Sequence, residues 1–557
     1  MRRNYELKKY PIVPLTLILI LFLLLANCTA PEAMRTNDVV RGYIKTETGT
    51  VEGAVVTVQA TDHKTVSDDR GYFELKNLAS GEKLVITAWA EGYYIGQVET
   101  IPASEPITIH LSKYNLIDHA DYDWTPHEME GGSSACAECH PAYEEWMADA
   151  HSQSTVNPRF LSMYFGMDMA GNQSPITRYR YNRDYGILPL PPDPSRTYYG
   201  PGYKLDFPLS SGNCATCHSP AQAAHPGGEY SADPSEATGI EKEGIFCDFC
   251  HLIGGVTLDP ELKLPYENMP GVLSIQLLRP ENDGEDLFLG NFYDVPGHDS
   301  YLPIYEESKY CSACHYGVFW ETIVYNSYGE WMDSSYSDSD DGQTCQECHM
   351  PPMDYDYFVY PEKGGLIRDS EKIFSHDMTG YMENVLLQNA LSMSVETEIN
   401  GNELNVIVEV INDKTGHAVP TDYPLRQVIL IVDVIDGEGN RLIQTSGDVI
   451  PFYGGEGDME RGYYAGLPGK IYMKVLQELW TEVYPSGAYW NPTRVLSDNR
   501  LMPFEKDRSS FIFSINEEEP SYIHVKLLFR RATKELMDQK GWDIEDIVME
   551  SAFIRMN

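Results

Sequence analysis

The chain has 557 residues, enough for about three or four domains. Its 41 basic and 84 acidic side chains leave a formal charge of −43. A surface of that sign repels phosphate backbones and anionic lipid, so nucleic-acid binding is excluded and basic partners or cations are favoured. Residues 1–27 read as an export signal: Arg2, Arg3, Lys8 and Lys9 precede an apolar stretch over 12–26. That stretch is shorter than the about 20 residues a membrane span needs. The segment carries four basic and one acidic side chain, so the remainder of the chain stands at −46. Residues 28–38 form a polar tether.

From 39 to 113 there are no cysteines, and short alternating apolar stretches at 39–44, 54–59, 72–75, 83–88 and 107–111 lie between turn signals. This predicts a small N-terminal β-sandwich. Residues 114–385 then hold ten of the eleven cysteines, all in Cys-x-x-Cys-His. The copies are Cys136–Cys139–His140, Cys214–Cys217–His218, Cys247–Cys250–His251, Cys311–Cys314–His315 and Cys345–Cys348–His349. In this motif two thiols form thioethers with a haem and the adjacent His is the proximal iron ligand, so five covalent haem c groups are predicted. About 0.01 matches would arise by accident in a chain of this composition. Structural zinc does not require His after every second Cys, and a disulfide framework has irregular spacings.

The region is rich in Tyr, Pro and Gly, and is predicted to be mostly loop and helix, with five porphyrins of about 600 Da each supplying much of its core. Its best helix candidate is 141–151, where Tyr143, Trp146 and Met147 repeat at helical spacing. From 386 to 557 strand patterns return, which predicts a C-terminal β-sandwich with a helical excursion around 470–480. No cysteine lies beyond Cys348, so this domain attaches no haem.

The sixth ligand of each iron decides between electron transfer and chemistry. Of fifteen histidines five are proximal, and His63, His110 and His524 lie in strand regions where a structural role is expected. The others are His119, His127, His151, His225, His298, His376 and His417. A helix running to His151 would carry it about 16 Å from His140, too far for the same iron but suited to a neighbouring one. His298 sits in a Pro-Gly-His-Asp loop, His376 in Ser-His-Asp-Met, and His417 between two strands of the last domain.

Three resemblances add to this reading. Leu25-Ala26-Asn27-Cys28 resembles a bacterial lipoprotein box, which implies a lipidated Cys28, although Asn27 departs from the usual small residue. Gly53-Ala54-Val55-Val56-Thr57-Val58 with Asp69-Arg70-Gly71-Tyr72-Phe73 resembles the carboxypeptidase-regulatory-like sandwich, whose members are spacers or adhesion modules. The first motif with Trp146 and His151, the third motif, and the fifth with Met350-Pro351 resemble multihaem cytochromes of the nitrifier tetrahaem-cytochrome and hydroxylamine-oxidoreductase superfamily. Ser375-His376, Gly416-His417 with Pro420-Thr421 and Arg426, and Asp498-Asn499-Arg500 match as well. That resemblance implies His151, His298, His376 and His417 as distal ligands, with His225 leading His127 and His119 for the fifth. Five proximal ligands facing five candidate distal ones favour an electron carrier over an enzyme. The expected partners are other redox proteins or an extracellular electron acceptor, with membrane attachment through the lipid. A reductase or oxidase of small nitrogen or sulfur compounds at one open haem is the alternative, and a surface filament that self-assembles is a third.

Overall fold

The structure, a computed structural model, describes residues 38–556 except 80, 103–104, 125–131, 225–231, 283–285, 339–341, 379–381 and 516–519. Cys28, His127 and His225 therefore lie outside the described residues. Two compact units result: one runs to Lys113 and takes in Phe292–Gly297, and the other comprises Tyr114–Asn291 and His298–Asn557. Among the described residues no helix is long and apolar enough to cross a membrane.

The first unit has strands β1 (Asp38–Lys45), β2 (Val55–Val58), β3 (Lys64–Val66), β4 (Tyr72–Leu78), β5 (Leu84–Trp89), β6 (Gly96–Thr100) and β7 (Ile107–His110). They form two sheets, ordered β4-β1-β7 and β3-β2-β5-β6. Alternate residues of β1, Val40 and Ile44, join Val56, Phe73, Ile86 and Ile109 in the core between them. The Asp-Arg-Gly-Tyr-Phe segment forms the turn into β4. Asp68 accepts from the amides of Arg70 and Tyr72, and Gly71 sits at φ 72°, where a Cβ would lie 2.6 Å from the Ile44 carbonyl oxygen. Within this unit, the Asp294 carboxylate accepts from the Ala60 amide at 2.6 Å, and Lys64 Nζ donates to the Tyr293 hydroxyl at 3.0 Å.

In the second unit, the strands among the described residues of 114–291 and 298–385 form two-stranded ribbons: β8 (Tyr179–Asn182) with β9 (Gly186–Pro189), β10 (Ile253–Val256) with β11 (Ile275–Leu277), β12 (Phe288–Gly290) with β13 (Asp299–Tyr301), and β14 (Gly317–Phe319) with β15 (Thr322–Tyr325). Short helices fill the spaces between them. The predicted helix over 141–151 is divided: an α-helix covers Ala142–Ala148, Asp149 is extended, and a separate turn covers Ala150–Gln153. The Asp149 carboxylate causes the break by capping that turn, accepting from the His151 amide at 2.8 Å.

The remaining strands are β16 (Ser392–Asn400), β17 (Glu403–Ile411), β18 (Gln427–Asp436), β19 (Gln444–Ser446), β20 (Gly469–Tyr472), β21 (Lys474–Glu478), β22 (Thr493–Asp498), β23 (Lys506–Ser514), β24 (Pro520–Arg530) and β25 (Ile547–Arg555). Sheets ordered β16-β17-β23-β19 and β20-β18-β24-β25 enclose a core of Val406, Val408, Leu430, Phe511 and Val525, among others. β18 is apolar on both faces for a reason. Val428, Leu430, Val432 and Val434 point into that core, while Ile429 and Ile431 pack with Ile450, Ile471 and Met473 on the other side. The helical excursion expected around 470–480 is instead strand: β20 pairs with β18, and β21 with β22. Both faces of this apolar segment are covered, so its residues carry no alternation that would mark a strand.

Candidate cofactor-binding site

Each Cys-x-x-Cys-His segment closes a single helical turn. The His140 amide donates to the Cys136 carbonyl at 2.9 Å, His218 to Cys214 at 3.0 Å, and His315 to Cys311 at 3.2 Å. The motifs at 247 and 345 lie wholly inside the helices Cys247–His251 and Cys345–His349. One turn brings both thiols and the ring of each motif to one side, because residues three and four apart are neighbours on a helix.

The rings are then held by their second nitrogen. Nδ1 of His140 donates to the Phe358 carbonyl at 3.0 Å, that of His218 to Ser154 at 3.2 Å, and that of His251 to Leu289 at 2.6 Å. His349 is bonded to the Met378 backbone, and His315 Nδ1 donates to the Asp422 carboxylate at 3.3 Å. A carbonyl only accepts, so the proton resides on Nδ1 and Nε2 keeps its lone pair for a metal. Burial lowers the pKa of His218 and His349 to about 4 and that of His251 to about 3, which keeps these rings neutral and ready to ligate. His315 differs: burial opposes protonation, but the Asp422 hydrogen bond and charge prevail and raise its pKa.

Three further histidines have the same arrangement. Nδ1 of His151 donates to Asp149 at 2.6 Å, that of His376 to the Phe374 carbonyl at 3.1 Å, and that of His417 to the Ala418 carbonyl at 3.0 Å. Each of these rings lies opposite a motif ring. Centroids are 6.3 Å apart for His251 and His376, 6.2 Å for His349 and His417, and 6.3 Å for His151 and His315. An iron midway between two imidazoles, with bonds of about 2.0 Å and each centroid about 1.1–1.2 Å beyond its nitrogen, requires about 6.3 Å. The residues fit a six-coordinate haem at each of these three places. No second imidazole is paired at this spacing with His140 or His218 among the described residues, where the ring 6.4 Å from His140 is that of Phe358 and His298 faces no motif ring. Phe160 lies flat on His218 with centroids 3.8 Å apart.

The motifs also touch one another. The Cys136 side chain lies close to that of Cys247, Cys217 to Cys314, and Cys311 to Cys345. The fourth motif thus adjoins both the second and the fifth.

A buried ion pair fastens the loop that carries His417. Glu330 accepts from the Ala418 amide at 3.1 Å, from Thr421 Oγ1 at 2.7 Å and from Arg500 at 2.8 Å. Arg500 also grips Asp498 through two bonds of 2.8 and 2.9 Å. Asn499 donates to the Ile471 carbonyl and accepts from the Met473 amide. The Pro-Thr and Asp-Asn-Arg segments are thereby drawn to one point. Glu330, Asp149 and Asp422 contact the candidate site residues and were not singled out in the sequence reading; only Asp149, two positions before His151, offered a local signal.

No family model and no curated protein matches the sequence. Among solved structures the chain is similar in fold to the penta-haem cytochrome c552 from Thermochromatium tepidum, at 17% identity and a TM-score of 0.51, over 76% of this chain and 97% of that one. A type II cohesin–X-dockerin complex from Acetivibrio cellulolyticus matches 13% of this chain and 51% of its own at 22% identity, and its TM-score of 0.12 has no bearing on the fold.

Proposed function

We propose that the chain is a pentahaem c-type cytochrome of the nitrifier tetrahaem-cytochrome and hydroxylamine-oxidoreductase superfamily, carrying electrons along a series of bis-His haems. The observation that supports this best is the set of three imidazole pairs at iron-bridging separation, each ring held by a hydrogen bond. When bound, the haem iron supplies a one-electron couple. The chain's own part is to fix the rings, occupy both axial positions and surround the site with apolar side chains, tuning the potential by burial and hydrogen bonds. His376, His417 and His151 serve the third, fifth and fourth motifs; His298 and His225 remain the candidates for the other two.

Export with lipid attachment at Cys28 would place this carrier on the outer membrane or cell surface, with the carboxypeptidase-regulatory-like module as a spacer. Exchange with another redox protein or an extracellular acceptor then follows. The test is the spectrum of the purified protein: five haems per chain, all low-spin in the ferric state, support the carrier, and a high-spin ferric haem that binds added ligand overturns it.

One observation favours a second reading, a reductase or oxidase of small nitrogen or sulfur compounds. Tyr325 and Tyr489 lie beside Cys214, and Tyr423 packs edge-on against Tyr489 with its buried hydroxyl unpartnered. A small polar ligand at the second motif would satisfy that hydroxyl. Ligand-induced spectral change confined to one haem is its signature.

A further inference from the structure

Seven candidate ligand rings are hydrogen-bonded through Nδ1, and the partners are of two kinds. Five are backbone carbonyls: Phe358, Ser154, Leu289, Phe374 and Ala418, and an eighth ring, His349, is bonded to the Met378 backbone. Two are carboxylates, Asp149 and Asp422. Both carboxylates fall on the two rings of the same pair, His151 and His315. The Asp149 side chain is wholly buried, and Asp422, 21% exposed, is also bonded by the Ser327 hydroxyl.

A carboxylate that accepts Nδ1–H draws the ring toward imidazolate and makes Nε2 a stronger donor, and it adds negative charge close to the metal in a medium that screens poorly. Both effects stabilise ferric over ferrous iron. Arg426 lies near enough to Asp422 to offset part of its charge.

Resting on the reading of the site as bis-His haems, we propose that Asp149 and Asp422 are positioning residues that make the haem of the fourth motif the lowest in potential of the three paired haems. The contacts of Cys314 with Cys217 and of Cys311 with Cys345 put this haem between those of the second and fifth motifs. As the protein is reduced, electrons then fill the haem of the fifth motif before the junction.

The geometry also supplies a label for the test. The His151 and His315 planes cross at 68°, against 26° and 18° for the other pairs. Near-perpendicular axial imidazoles give a highly anisotropic low-spin ferric resonance, distinct from the rhombic signal of near-parallel ones. A redox titration of the intact holoprotein followed by paramagnetic resonance should show the anisotropic signal disappearing after the rhombic ones. D149N and D422N should each ease reduction of that haem by about tenfold, or about 59 mV for one electron, without moving the rhombic signals. D149E and D422E should restore the native order. Loss of the anisotropic signal first, or two Asn variants titrating as the native protein, overturns the proposal. If one variant fails to fold, the native order and the other variant decide. A spectrum without low-spin bis-His signals would be seen before any titration and would show that the ligation reading itself had failed.

Discussion

The C-terminal sandwich and the haem-motif region of the same unit are stabilised by different means. In the sandwich, strands of nine to eleven residues such as β16, β17, β18 and β24 close a continuous aliphatic core. The motif region has ribbons of three or four residues and α-helices of four to eight, and half-buried thiols and imidazoles are arranged around the sites. A core of side chains is complete once the chain folds, whereas a core that includes a porphyrin is complete only after attachment. The comparison predicts two classes of response to perturbation.

The largest expected effect is loss of the cofactor. Chain expressed without haem attachment should be cut by protease throughout 132–378 while 391–556 stays protected; equal protection of both would show that the motif region folds unaided. Next come changes confined to the sandwich or its fastening. Phe511→Ala removes a fully buried ring and should cost about 3–5 kcal/mol by denaturant unfolding. Arg500→Met leaves Glu330 buried without its cation and should cost about as much, about 3–5 kcal/mol. It should also disturb the fifth haem, which Phe511→Ala should leave alone.

His417→Ala is a smaller and more local change. One haem of the set should lose its low-spin signal while the unfolding midpoint moves little, and unchanged spectra would remove the cross-domain ligand. The smallest effect concerns Asp248, whose carboxyl is pushed up from 3.8 to about 7 by burial, against the Tyr122 hydrogen bond. The folded state binds this proton more tightly than the unfolded chain. Its stabilising contribution is therefore full below about pH 4 and is lost as the pH rises toward 7. The difference in unfolding midpoint between the native protein and Asp248→Asn should follow that window.

The two regions were also unequally legible in the sequence. Covalent attachment has a fixed spacing, so the motif residues could be named from their order alone. Periodicity was enough for β16, β17 and β23, which have one covered and one open face. It failed at β20 and β21, where both faces are covered and the run resembles a buried helix. The partners that orient the rings were hidden for another reason. Phe358, Leu289 and Ser154 act through their carbonyl oxygens, which every residue possesses, so no side-chain pattern announces them. Glu330 meets Thr421 and Arg500 across 91 and 170 positions, a distance over which a single sequence carries no pairing signal.

The loop between β17 and β18 has a consequence for how this protein can change over time. His417 faces the fifth motif's His349, and Asp422, five positions later, holds the fourth motif's His315. Surface loops ordinarily absorb added or lost residues. Here one inserted residue between Ala418 and Thr421 would break the double grip of Glu330 and change the spacing between His417 and Asp422, so the length of this segment is constrained by two cofactor environments at once.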